Sequence, residues 1–199
     1  MATLNEYQPK EIFPNLIQTV EKYFFEYNKQ EIFKHSCEVA ETAKAIAADF
    51  NLNPTAAFET GLLHDISGVI PNEKRLQIEN ALGYTIHPAE KTLPMLLHQK
   101  QSSYLAEAYF NISNPATLSA IACHTTLKPS ATPFDKCLFI ADKIKWDRPQ
   151  PAPYLTELEA ALKNSLDAAC IVYLDWLYAN DLKIEHPWLK AAKEELIKA

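Results

Sequence analysis

The stretch IFKHSCEVAETAKAIAADF, residues 32–50, decides the fold class. Within it Ile32, His35, Ser36, Val39, Ala43, Ile46 and Phe50 follow steps of three and four, the spacing of one helical face. The same period continues on the C-terminal side. Asn53-Pro54 reads as a helix start, because proline at the first helical position lacks only an N–H that would be unbonded anyway. From Pro54, Phe58, Gly61, Leu62 and Asp65 fall along one stripe, and Gly68 with Pro71 is expected to end that helix. A helix over Asn72–Leu82 follows, closed by Gly83. Tyr84–Leu93 reads as irregular, punctuated by His87-Pro88 and Pro94. Further helices are expected at about Met95–Phe110, Ala116–Thr126 and Pro133–Trp146. The loop DRPQPAP, 147–153, then precedes a helix or helix pair over Tyr154–Leu182 and a last amphipathic helix, Pro187–Lys198. No stretch alternates with the period of a strand. The expectation is an all-α helical bundle forming a single domain over residues 1–199. Its core would span about residues 30–150, with an N-terminal helix before it and packing helices after it.

Composition narrows the function. At 199 residues, 48% hydrophobic and 22% charged, the chain is ordinary for a globular protein. No apolar run approaches the roughly 20 residues a membrane span needs. The opening MATLNEYQPKEIF has no basic segment leading into an apolar one, so a cytoplasmic location is expected. A net charge of −6 argues against a nucleic-acid groove, which needs a basic stripe. It leaves room for a phosphate-bearing small molecule, because bound cations would invert the local field. Cys37, Cys123, Cys137 and Cys170 form no CxxC pair and read as reduced thiols. Only three glycines occur, too few for a GxGxxG or Walker phosphate loop. Phosphate chemistry would therefore fall to metals and side chains.

The polar residues on apolar helical faces supply that chemistry. In order they are His35, the pair His64-Asp65, His98, His124 and Asp142. His35 shares a face with Ile32 and Val39, His64-Asp65 ends the run Gly-Leu-Leu, and His98 follows Leu96-Leu97. His124 lies three residues after Ile121, and Asp142 four after Leu138. Singly, each reads as a core residue satisfied by a nearby carbonyl. Six arriving from five helices read differently, because buried charges pair or coordinate metal. Histidine nitrogens and carboxylate oxygens without thiolates suit manganese, iron, cobalt or zinc. The expected division gives His35, His64 and Asp142 to one ion and His98 and His124 to the other, with Asp65 bridging both. Two ions about 3.5–4 Å apart would activate a water and clamp a phosphoryl group, with no nucleophilic side chain needed.

The ordered set H…HD…H…H…D resembles the HD superfamily of metal-dependent phosphohydrolases. The segments HSCEVAETAKAIA (35–47), GLLHDIS (61–67), LLH (96–98), AIACHTT (120–126) and IADKIKWDR (140–148) look like its YqeK-type branch of symmetrical dinucleoside tetraphosphatases. The resemblance implies an all-α HD-domain bundle with a di-iron or similar two-metal centre, divalent or mixed-valence. It also implies hydrolysis of diadenosine tetraphosphate to two ADP. The six ligand positions carry over unchanged, and Arg148 matches a family arginine placed to contact phosphate. The chain departs from the branch at Gly68, where a lysine is usual, and at Gln99 and Leu127, where glycine is common. These changes leave the metal set whole while altering the pocket beside it. A phosphomonoesterase or phosphodiesterase acting on another nucleotide, and a nucleotide sensor without turnover, are the other functions weighed.

Further residues are read against plainer roles. Lys143, Lys145 and Arg148 after the last ligand, and Lys128 after His124, are solvated helix-end cations or partners of substrate phosphate. Arg148 has the strongest claim, since arginine binds phosphate bidentately, and Lys143 comes next. Lys100 is weaker. His87 and His186, each before a proline, read as surface or capping residues. Thr125 and Thr126 read as holding a water behind the ligands or as orienting His124. Trp146, Trp176 and Trp188 read as packing residues, Trp146 also lying near enough in sequence to stack on a base. The stripe Tyr173, Trp176, Leu177 packs the bundle or covers a homodimer interface.

Overall fold

The computed structural model describes residues 3–146 and 148–198. Met1, Ala2, Ala199 and Asp147, the first residue of the expected DRPQPAP loop, lie outside the described residues. Among the described residues there are eleven α-helices and no strand. They are α1 (Leu16–Glu26), α2 (Gln30–Asp49), α3 (Pro54–Leu63), α4 (Asn72–Leu82), α5 (Pro88–Thr92) and α6 (His98–Tyr109). Then come α7 (Pro115–Cys123), α8 (Pro133–Ile144), α9 (Leu155–Leu162), α10 (Leu166–Asn180) and α11 (Pro187–Lys198). Short 3-10 turns cover Leu4–Tyr7, Ile66–Val69 and Pro94–Leu97.

The helix starts follow from side chains that accept the free N–H groups of the first turn. Asn53 accepts from Ala56 N at 3.0 Å and Asn114 from Ala116 N at 3.0 Å, each with a proline at the next position. Thr132 and Asp135 cap α8 reciprocally. Gly83 closes α4 with a left-handed φ of 76°.

Two expectations about termination change. The helix from Pro54 ends at Leu63, before the His64-Asp65 pair, and Gly68 and Pro71 do not end it. Gly68 lies in the following 3-10 turn, where a Cβ would meet only the flexible end of the Ile32 side chain, Cδ1 at 2.6 Å. The supposedly irregular Tyr84–Leu93 contains α5, whose start is capped by His87 and Glu90. Five residues are too few to show a helical period.

The core is built on α2, whose buried face comprises Ser36, Val39, Ala40, Ala43, Ile46 and Ala47. Small residues on that face let α3 approach closely. A Cβ on Gly61 would meet Ala40 Cα at 2.6 Å and Ala40 N at 2.8 Å, and backbone cannot give way as a flexible side chain can. Gly61→Ala should therefore cost about 1–3 kcal/mol through overpacking, read as a lower denaturant midpoint with an unchanged slope. An unchanged midpoint would mean the α2–α3 contact is looser than described. The C-terminal stripe is used within the chain: Tyr173 stacks edge-on against Phe139 and Tyr154, and Trp176 packs on Tyr154 and Trp146.

Candidate metal centre

Five helices bring the six expected residues together. His35 lies on α2, and His64-Asp65 follow the end of α3. His98 opens α6, His124 follows the end of α7, and Asp142 lies on α8. The termination of α3 matters here, because consecutive residues on a regular helix diverge by about 100°. His64 keeps helical angles, whereas Asp65 has φ −111° and ψ 17°, so the chain turns between them.

The hydrogen bonds fix what the imidazoles present. His64 Nδ1 is 2.7 Å from Gly61 O, His98 Nδ1 2.7 Å from Met95 O, and His124 Nδ1 2.8 Å from Ile121 O. A carbonyl only accepts, so Nδ1 carries the proton in each ring and Nε2 presents a lone pair. This corrects the role given to the threonines: His124 is oriented by Ile121 O. Thr125 Oγ1 instead lies 3.2 Å from His98 Nε2, and Thr126 bonds Gln99. Gln99 is itself buried, accepting from the Thr125 and Thr126 N–H groups. It clasps the His98 and His124 segments together without lining the pocket. Leu127 is buried too, in a left-handed conformation at φ 56° that ordinarily favours glycine.

The inward-facing atoms are nearly all acceptors. His98 Nε2 and His124 Nε2 are 2.9 Å apart, and lie 3.2 and 3.4 Å from Asp65 Oδ1. His64 Nε2 is 3.5 Å from Asp65 Oδ2 and 3.6 Å from Asp142 Oδ1, and His35 Nε2 is 3.2 Å from Asp142 Oδ1. His64 Nε2 and Asp65 Oδ1 are buried with no hydrogen-bond partner among the described residues. Lone pairs crowded in this way, out of water, repel unless a cation lies among them. The residues fit metal. His35, His64 and Asp142 bring ligand atoms within 4.8 Å of one another, as do His64, Asp65 and His124.

Without metal, a proton takes part of that place. Burial opposes charge on His64, but Asp65 and Asp142 outweigh it and push the imidazole up to about 9. Burial also opposes charge on Asp65, yet the neighbouring histidines hold its carboxyl well below the usual range. Burial drives His124 down to about 4, so that ring is neutral at pH 7. A ligating imidazole must be deprotonated. Zinc binding at pH 7 should therefore release about one proton, the one on His64, and affinity should rise with pH up to about 9. Calorimetry in buffers of different ionisation enthalpy measures this. Zero proton uptake by buffer would contradict the assignment.

The cluster floors a pocket of about 350 Å³. One set of lining residues, Gly68, Arg75 and Met95, comes from the segments around α4 and the 3-10 turn before α6. Another, Lys143, Lys145, Trp146, Arg148, Tyr154 and Tyr173, comes from the end of α8, the connection to α9, and α10. Lys143 is not a solvated helix-end residue. It is largely buried over the Phe139 and Tyr173 rings, with Nζ 2.6 Å from Asp142 Oδ2. Burial opposes its charge, but Asp142 holds the ammonium above its ordinary pKa. Arg148 lies over the Trp146 ring at 4.5 Å and reaches Asp181 Oδ2 at 2.5 Å. Lys128 and Lys100 are engaged elsewhere, with Asp135 and Glu90 respectively.

His87 caps α5 and His186 caps α11 through its side chain, but His186 is buried, which corrects the surface half of that reading. Its Nδ1 accepts from Trp188 N at 3.1 Å and its Nε2 lies 3.3 Å from Glu90 Oε1. Glu90 is already engaged by Lys100 and by His87 N–H, so this group is a satisfied polar network. Sequence reasoning passed over Arg75, which is buried yet lines the metal pocket. The scarcity of arginine, two in the chain, was the available signal.

Residues 32–147 match the family described as HD domain. An uncharacterized Lactococcus lactis subsp. cremoris protein from the pepC 5′ region is 42% identical over 145 residues, covering 73% of this chain and 74% of that one. The bis(5′-nucleosyl)-tetraphosphatase, symmetrical, of Bacillus subtilis is 26% identical over 137 residues, 69% of this chain and 72% of that protein. Among solved structures, the chain superposes on a "predicted HD superfamily hydrolase involved in NAD metabolism" from Clostridium acetobutylicum. There the TM-score is 0.82 at 26% identity, over 91% of this chain and 96% of that one.

Proposed function

Because this chain belongs to the HD domain family and is a metal-dependent phosphohydrolase, we propose that its substrate is a nucleotide phosphoanhydride. The reaction we favour splits diadenosine tetraphosphate symmetrically into two ADP. The observation that carries this reading is the meeting of four imidazoles and two carboxylates, almost without donors, on the floor of a pocket lined by cations. The likeness to the Bacillus subtilis tetraphosphatase supports the choice of substrate. A cytoplasmic location, where nucleotides are at hand, completes the reading.

In this scheme His35, His64 and Asp142 would hold one cation and His98 and His124 the other, with Asp65 shared between them. Iron is our first choice, with manganese, cobalt and zinc accepting the same donors. Such a pair of cations, when bound, supplies the Lewis acidity that lowers the pKa of a water and draws charge from the phosphoryl oxygens. The backbone carbonyls of Gly61, Met95 and Ile121 hold the three rings with Nε2 forward. Lys143 occupies Oδ2 of Asp142, which leaves Oδ1 facing His35 and His64. Arg148 and Lys145 take substrate phosphate, and the Trp146 ring beneath the Arg148 guanidinium steadies it.

A nucleotide panel tests the reading, using protein loaded with iron or manganese. ADP as the only product from diadenosine tetraphosphate supports it. No ADP, with nucleoside released from monophosphates or a phosphodiester opened, moves the chain to another HD chemistry. Tight nucleotide binding without product under every metal condition would make it a sensor. Arg148→Ala should raise KM about tenfold or more with metal content intact. Loss of metal in that variant would remove Arg148 from the substrate side of the pocket.

A further inference from the structure

The chain has two arginines, and the second is less accessible than Arg148. Arg75 projects from α4 with 4% of its surface exposed, yet it forms part of the metal pocket beside Gly68 and Met95. Its guanidinium bonds Asn72 Oδ1 at 3.0 Å, Gln101 Oε1 at 2.8 Å, Ser67 Oγ at 3.3 Å and Ser67 O at 3.0 Å. All four acceptors are neutral. No carboxylate forms an ion pair with Arg75 among the described residues. A guanidinium has five N–H donors, and these four bonds leave one Nη2 hydrogen without an acceptor among the described residues.

A buried charge held only by neutral dipoles is costly unless a counter-charge arrives. The acid that acts on Arg75 through space is Asp65. Cations bound at Asp65 would cancel that attraction and leave Arg75 in a more positive surrounding. Its orientation is nevertheless fixed: Gln101, which holds Nη1, is itself anchored to Arg75 O at 3.0 Å and to Glu79 Oε2 at 3.3 Å. The arrangement is a rigid cation, short of one acceptor and one negative charge, in the wall of a site for anions.

We propose that Arg75 is a second phosphate-binding arginine, holding a non-bridging oxygen of the substrate at the Gly68–Met95 part of the pocket. This rests on the reading of the pocket as a phosphoanhydride site, and it adds a residue to that reading. With Arg148 coming from the segment after α8, a polyphosphate chain over the metals would meet a guanidinium from each of two separate parts of the fold. The selectivity expected is for longer polyphosphate chains.

Two arginines make the test direct. Protein labelled with ¹⁵N-arginine and loaded with diamagnetic zinc gives two side-chain Nε signals, and Arg148→Lys identifies which is which. Titration with inorganic tripolyphosphate should shift both signals with a common midpoint, and the Arg75 signal should still move in Arg148→Lys. An Arg75 signal that stays fixed while that of Arg148 moves would overturn the proposal. Arg75→Gln should also raise KM about tenfold or more, with kcat and metal content little changed. If that variant loses metal or fails to fold, the titration of the unaltered chain still decides. A moving Arg75 signal without hydrolysis of diadenosine tetraphosphate would sink the substrate assignment and leave the phosphate contact standing. Hydrolysis with a motionless Arg75 signal would do the reverse.

Discussion

Asp65→Ala will remove metal and activity together. The two oxygens of this carboxylate face different partners: Oδ2 lies toward His64, and Oδ1 toward His98 and His124. On the proposed two-cation arrangement, deleting it would take a ligand from both halves of the centre at once and leave the His98 and His124 lone pairs, 2.9 Å apart, with no negative charge to draw a cation between them. Hydrolysis should fall by about a thousandfold or more, equivalent to about 4 kcal/mol of transition-state stabilisation. Metal analysis of the purified variant should show less than the full complement. The fold should survive, since the side chain is 25% exposed and lies beyond the end of α3. A variant that keeps activity would end the two-cation reading.

Metal removal should have the second largest effect, and it should reach stability as well as activity. Chelation is expected to take hydrolysis to background, and manganese or iron to restore it. A ligand that binds only the folded chain stabilises it by about 4 kcal/mol at a thousandfold excess over Kd. The pH dependence separates the two forms. In the metal-free chain His64 has a folded pKa raised from 6.5 to about 9, so its contribution to stability is full below pH 6.5 and disappears as pH rises through about 9. In the metal-loaded chain the ring is neutral throughout and that loss is absent. Chemical denaturation of both forms at pH 6 and pH 9 measures the difference. Parallel losses would mean that the metal does not replace the His64 proton.

Much of this was legible in the sequence because the signals were local or ordered. The three- and four-residue steps of residues 32–50 reappear as the buried face of α2, and Asn53, Asn114 and Gly83 bound helices where their chemistry says they should. The six polar residues were conspicuous for the opposite reason: each interrupts an apolar face. What stayed hidden depends on contacts across the fold. A lysine at the end of α8 reads as solvated until Phe139, Tyr173 and Asp142 are seen to enclose it. Arg75 belongs to a weakly amphipathic helix and gives no local sign that Ser67 and Gln101 will bury it. The burial of His186 depends on Glu90, nearly a hundred residues earlier in the chain. The stop at Leu63 carries no local breaker after it, whereas Gly68 and Pro71 further on do look like one.

The endings of α3 and α7 have an electrostatic consequence. Each helix stops one residue before a histidine, and that ring donates its Nδ1 proton to a carbonyl in the final turn. Peptide dipoles summed along a helix place about half a negative charge at its C-terminal end. Two such ends converge on one spot, so the backbone itself helps draw cations there, before any carboxylate is counted. Moving either histidine one place along the chain would forfeit its carbonyl anchor and misdirect its ring, and composition alone would not reveal the loss.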